Sequence, residues 1–179
     1  NLSDDPELMS LMTSAGFRST FIGIETPDEE SLTDWNKVQN KNRDLVGSVK
    51  AIQRSGIQVT GGFIVGFDSD TPQVFQNQIN FIQQSGIVSA MVGLLSAPKN
   101  TQLYKRLKSE NRLTTDRTGN NTDMDMNFIP KMNISDLQEG YKSIIRGIYS
   151  IKPYYQRIRE FLNNYNNILP ERRKFEMSQ

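Results

Sequence analysis

The chain has 179 residues, which suits one domain or one domain with an appendage, and a hydrophobic content of 36% is enough for a core. A formal charge of +1 implies no strong field, so neither nucleic acid nor a membrane is expected as a partner. With no cysteine and no histidine, the chain itself excludes disulfides, thiolate nucleophiles, Ser–His–Asp chemistry and Cys- or His-ligated metals.

Along the chain, DDPELMSLMTSA predicts a helix over 4–15. Asp4 or Asp5 can cap it, Pro6 suits its first turn and Gly16 can end it. STFIGIE, 19–25, carries a short apolar run that suits a buried parallel strand. A second helix runs from Asn42 to Ser55 with Leu45, Val46, Val49 and Ile52 as its stripe, and Gly56 stops it. QVTGGFIVGF, 58–67, is the next strand. A third helix, capped by Asp70 or Thr71, carries Val74, Phe75, Ile79 and Ile82 and stops at Gly86. IVSAMVGLL, 87–95, is the third strand.

Helix, glycine and strand thus recur three times, with Gly16, Gly56 and Gly86 in equivalent places. The repeat predicts an α/β fold with parallel strands and helices outside them. After Leu95 the pattern changes: a short helix over 101–110, an irregular polar stretch over 111–133, then helices over 135–150 and 153–168. Pro153 begins the last of these and Pro170 ends it. The division expected is 1–110 for the α/β portion and 111–179 for an irregular linker and helical appendage. Asn and Gln, frequent in NKVQNKN and FLNNYNN, are expected to build no core. No leader and no apolar run near about 18 residues is present, which predicts a soluble, cytoplasmic chain. Three parallel strands leave two unpaired edges, so a missing N-terminal barrel half, or self-association through sheet edges, is expected to supply further strands.

Three segments are specific: FIGIETPDEESL at 21–32, GGFIVGFDSDTPQVF at 61–75 and LLSAPKNTQLYKRL at 94–107. In this order, and followed by a helical tail, they resemble the fourth to sixth strands of the radical S-adenosylmethionine (SAM) partial barrel. The likeness is greatest to the branch associated with cobalamin-binding domains. The resemblance implies half of a (β/α)6 partial TIM-like barrel, made of three βα units and followed by a C-terminal helical appendage. It also implies SAM as cofactor, with a 4Fe–4S cluster, and in some members cobalamin, in the complete parent protein. The family's CxxxCxxC segment, whose thiolates hold the cluster, is absent from this chain. A fragment that contributes one wall of the SAM pocket and is inactive alone is therefore expected, with weak SAM binding.

Ligands of parallel barrels meet the C-terminal ends of strands. Glu25 and Thr26 stand at such an end. Read from position, Glu25 either accepts from ribose hydroxyls or an ammonium group, or caps the following turn or pairs with a lysine. The resemblance implies the ligand role. It also implies that Gly62, Ile64 and Gly66 lie along the adenine, where plain strand packing is the other reading. Leu95 and Ser96 end the sixth-strand motif. Lys37, after Trp35 and Asn36, either meets a carboxylate of the ligand or stands solvated. Asp68 and Asp70 read as turn and cap residues, and Tyr104 as a packing residue. No catalytic or metal-binding residue is assigned. The competing readings are a non-catalytic α/β ligand-binding module and a protein-interaction module.

Overall fold

The computed structural model describes residues 2–28, 43–115 and 126–165. Trp35, Asn36, Lys37, Asn40 and Pro170 lie outside those residues. After a 3-10 turn at Leu2–Asp4 come α1 (Pro6–Ser14), β1 (Ser19–Glu25), α2 (Leu45–Arg54), β2 (Gln58–Val65), α3 (Gln73–Ser85) and β3 (Ser89–Leu94). Three further helices follow: α4 (Gln102–Ser109), α5 (Ile134–Tyr149) and α6 (Ile151–Tyr165). The strands form one parallel sheet in the order β1–β2–β3. The α/β architecture with parallel strands and a helical region, expected from the repeat and the resemblance, is the one observed: an open three-stranded parallel sheet, consistent with half of a partial barrel.

The helix–glycine–strand junctions have a shared mechanism. Gly16, Gly56 and Gly86 all have positive φ, at 96°, 90° and 69°. At the first two, the glycine N–H bonds back to Thr13 or Gln53, and the next N–H reaches Met12 or Ile52. This double bond pattern satisfies the last carbonyls of a helix and turns the chain sharply into a strand. β2 ends at Val65 rather than Phe67, because Gly66 at φ 107° leaves the extended region.

Strand alternation divides the sheet into two unlike faces. Val59, Phe63 and Val65 of β2, with Ala90, Val92 and Leu94 of β3, are buried in the same core as Val49, Ile52, Phe75 and Ile82 of the helices. The other face carries Phe21, Gly23 and Glu25, then Thr60, Gly62 and Ile64, then Met91 and Gly93. Phe21 and Met91 on it are 60% and 55% exposed. One face is therefore covered by helices and the other is open.

The helical region joins the same core through Leu137, Ile144 and Ile148. A Cβ on Gly140 of α5 would stand 2.2 Å from the Phe75 ring, so the bare backbone of α5 sits directly on α3. α6 closes over α2 and α3 with Lys50–Glu160 at 2.6 Å and Gln83 Nε2 donating to Pro153 O at 3.1 Å.

Amides do build this interior, contrary to the sequence expectation. Gln53, Gln78 and Asn127 are buried. Gln53 Nε2 donates to the carbonyls of Ser85 and Gly86 at 3.1 and 3.2 Å, the C-terminus of α3. Asn127 donates to Ala97 O and accepts from Ala97 N–H, both at 2.8 Å, as a neighbouring strand would. Leu113 and Phe128 form an antiparallel bridge, so part of the stretch read as irregular is paired. Buried carbonyls left by turns and helix ends demand donors, and amide side chains supply them here.

The cap expected at α3 is also different. Its N-cap is Pro72, which lends no side chain. Asp70 turns back instead, accepting from the N–H groups of Gly66 and Phe67 at 2.7 and 3.1 Å. The carboxylate meets the turn's free donors before it can reach the helix.

Candidate functional site at the strand ends

A cavity of about 580 Å³ lies against the open face and the C-terminal ends of the strands. Of the residues expected to bind a ligand, Glu25, Gly62, Ile64, Leu95 and Ser96 all line it. Lys37 lies outside the described residues. Thr26 and Gly66 do not line it. Thr26 is fully buried, and its hydroxyl accepts from Asp28 N–H at 3.1 Å, which holds the turn after β1. Gly66 supplies a backbone conformation and a tight contact, since a Cβ there would come within 3.1 Å of Met126 Cε.

Glu25 has an unusual backbone. Its φ is +66°, and Thr26 N–H bonds to Ile24 O across it at 2.9 Å. That three-residue turn with positive φ at a bulky residue is rare and strained. The register to β2 also slips between Gly23 and Glu25. The irregularity ends the strand abruptly and leaves the Glu25 side chain on the cavity wall. From behind, Gln78 of α3 donates to Ile64 O at 2.8 Å and to Glu25 O at 3.5 Å, so one helix side chain anchors the ends of two strands. That anchorage holds Gln78 Oε1 buried without a partner.

Gly62 shows how closely a flat group can approach the sheet. A Cβ on it would lie 2.8 Å from the Phe21 ring, so the ring rests on bare backbone. Gly23 is the register partner of Gly62, and Gly93 that of Ile64, which leaves a floor with few side chains. Phe21, Met91 and Gly93 line the cavity and were not singled out in the sequence. Their signal was legible, because period-two spacing puts Phe21 on the face of Glu25, and Met91 and Gly93 on that of Ser89. Tyr141 and Ile145 of α5 also line it. No sequence pattern could join them to the strands, because only packing brings α5 there.

Beside the cavity, charge is used to hold the scaffold. Asp68 takes Arg112 in a two-pronged pair at 2.9 and 2.6 Å, with Arg106 at 3.0 Å. The Arg112 guanidinium holds the Asp68 carboxyl below the usual carboxylate range, and the same pair raises Arg112. Asp68 and Asp70 are thus engaged as structural residues. Among the described residues, no group of three or more His, Cys, Asp or Glu stands together to hold a metal. Nor is any helix among them long and apolar enough to cross a membrane.

Comparison with known proteins bears on the same elements. A domain of unknown function, DUF4070, matches residues 101–178. An uncharacterized methyltransferase of Synechocystis is 39% identical over 158 residues, 88% of this chain and 30% of that protein. A hopanoid C-2 methylase of Rhodopseudomonas palustris is 39% identical over 116 residues, 65% of this chain and 22% of that one. A bacteriochlorophyllide d C-12(1)-methyltransferase of Chlorobaculum tepidum is 29% identical over 112 residues, 63% and 25%. The chain therefore spans less than a third of the length of these curated relatives. Its three motifs stand on or follow three adjacent parallel strands, and the Synechocystis relative matches over 158 of the 179 residues and so spans strands and helices alike; the chain belongs to the radical SAM superfamily.

Proposed function

We propose that this chain forms part of the SAM-binding wall of a radical SAM methyltransferase. The observation that carries the reading is the meeting of Glu25, Gly62, Ile64, Leu95 and Ser96 around one cavity at the ends of parallel strands. The three relatives named above share methyl transfer in their names. The residues suit the nucleoside and amino-acid parts of SAM. The carboxylate of Glu25 can accept from hydroxyl or ammonium groups. Ile64 offers an apolar flank to a flat base, and Ser96 a hydroxyl. The cavity falls within the usual range for small-molecule sites, about 300–1,000 Å³. When bound, SAM supplies a methyl group and, given an electron, radical chemistry.

A 4Fe–4S cluster does not fit this chain, which has no cysteine to hold one. We assign the cluster, and cobalamin where one is used, to residues outside the chain, and hold the chain inactive by itself. The part played here is to bind and orient. Glu25 fixes the polar end of the ligand, while the glycine floor and Ile64 set its plane.

The test is a nuclear magnetic resonance titration of the chain with SAM. Amide signals of Glu25, Ile64, Leu95 and Ser96 should shift at millimolar ligand, and Glu25→Gln should weaken the response by about tenfold. Shifts confined to other surfaces, or a response unchanged by Glu25→Gln, would remove the assignment.

A further inference from the structure

The inner stripe of α3 is apolar at Val74, Phe75, Phe81 and Ile82, and Gln78 stands in the middle of it, fully buried. Packing alone would favour an apolar side chain there. The partners of the amide explain the exception. Gln58 N–H bonds to Arg18 O, so even-numbered residues of β1 and β2 carry the hydrogen bonds between those strands. The register runs unbroken from Ser19 opposite Gln58 to Gly23 opposite Gly62. Carried two residues further, it would bring Thr26 N–H to Ile64 O. Instead Thr26 N–H turns back to Ile24 O at 2.9 Å, across Glu25 at φ +66°. Ile64 O accepts from Gln78 Nε2 at 2.8 Å, and the same nitrogen lies 3.5 Å from Glu25 O. The side chain takes the place of the ladder donor that the turn withdraws.

We propose that Gln78 is a positioning residue: by standing in for Thr26 N–H at Ile64 O, it holds Glu25 in its positive-φ turn and so fixes where the carboxylate meets SAM. The proposal rests on the SAM-wall reading above and adds to it the group that sets Glu25. Two observations favour it. A ladder carbonyl in the protein interior needs a donor. Without the Gln78 amide, the register makes Thr26 N–H the donor that returns, and its return releases the strained turn. Rotation about φ at Glu25 then carries the carboxylate away from its present place on the cavity wall. The second observation is the state of the other end of the amide. Gln78 Oε1 is the only buried side-chain polar atom without a partner among the described residues. Gln53, also fully buried, has both ends engaged: Nε2 on the carbonyls of Ser85 and Gly86, and Oε1 accepting from Asn164 Nδ2 at 3.3 Å. An unpaired buried acceptor costs stability, and the fold carries that cost where the strands of the site end.

The experiment uses Gln78→Met, which keeps the length and bulk of the side chain and removes its donor, in the 179-residue chain. Magnetic resonance gives three readouts. The coupling between the Glu25 amide and Hα protons, with the Cα shift, reports the sign of φ. Scalar couplings across hydrogen bonds report which nitrogen donates to Ile64 O. A SAM titration reports the ligand. The wild type should show positive φ at Glu25 and a coupling from Gln78 Nε2 to the Ile64 carbonyl carbon. Gln78→Met should lose both, gain a coupling from Thr26 N to that carbon, and bind SAM about tenfold more weakly at Glu25. Gln78→Asn keeps the amide one methylene short of its partner; it should behave alike, and serves if Gln78→Met fails to fold. Gln53→Met separates positioning from stability: it should unfold at lower urea, while Glu25 keeps its φ and the chain its SAM response. Positive φ at Glu25 surviving in both Gln78 variants overturns the proposal, as does a lost turn with unchanged SAM affinity. An equal loss of SAM affinity in Gln53→Met also overturns it, because loosening α3 anywhere would then suffice. No SAM response in the wild type removes the SAM-wall reading instead. Loss of the turn in Gln78→Met would then still sustain the hold on Glu25, and its retention would overturn it.

Discussion

Arg157 is fully buried, and its partners are carbonyls, an amide and two rings rather than a carboxylate. It donates to Ile87 O at 2.8 Å, Val88 O at 3.1 Å, Gln83 Oε1 at 2.7 Å and Ile148 O. Ile148 belongs to the last turn of α5, and Gln83 to that of α3, so the cation sits where two helix dipoles end negative. Burial pushes its pKa below the ordinary arginine value, and the neighbouring Tyr149 and Tyr154 oppose that shift. Removing the head leaves several buried acceptors without donors, each costing about 1–3 kcal/mol before water relieves any of them. Arg157→Leu should therefore lower stability by about 3 kcal/mol in urea unfolding, and Arg157→Lys should restore less than half of it, since one ammonium cannot span the fork. A loss below about 1 kcal/mol would mean the carbonyls find water readily.

Between elements, two glycines of α5 make contrasting contacts with α3. At Gly140 an added methyl meets the Phe75 ring at 2.2 Å, and that ring is itself buried and cannot move aside. At Gly147 it meets Ile79 Cδ1 at 3.0 Å, the free end of a half-buried side chain. Alanine is the better helix former by about 1 kcal/mol at either place. Gly140→Ala should still destabilise by about 1–3 kcal/mol through overpacking, whereas Gly147→Ala should be neutral or stabilising. Thermal unfolding of the two variants side by side tests this. Equal behaviour would show that α5 can slide on α3, and the α5 side of the cavity would then not be a fixed wall.

For the whole molecule, the two sheet edges are unequal. β3 is blocked at Ala90 by Tyr149 and flanked by α5. β1 presents outward backbone at Ser19, Phe21 and Gly23, because Gln58 N–H bonds to Arg18 O and so sets the even-numbered residues of β1 toward β2. Leu11, Phe17 and Phe21 beside it are 61%, 53% and 60% exposed. Such an edge invites pairing. We expect the chain to self-associate through β1 unless another segment covers it, with apparent mass rising with concentration in light scattering. Phe21→Lys should restore a monomer. A wild-type chain that stays monomeric at every concentration would sink the expectation.

Much of the fold was legible in the sequence because its causes are local. Helix stripes, glycines at positive φ and period-two strands act over a few residues, and they put β1, β2 and β3 within a residue or two of their observed limits. The meeting of the strand-end residues was legible for the same reason: in a parallel sheet the ends of successive strands must come together, so Glu25, Ile64, Leu95 and Ser96 line one cavity. What only the tertiary structure decided depends on long-range packing. Asp70 chose the Gly66 turn over the helix, Tyr149 reached the edge of β3 from 59 residues away, and Arg157 found carbonyls 69 and 70 residues back. Amides and cations in a sequence look solvated until a buried carbonyl stands beside them, and the position of that carbonyl is set by how helices dock, not by any local pattern.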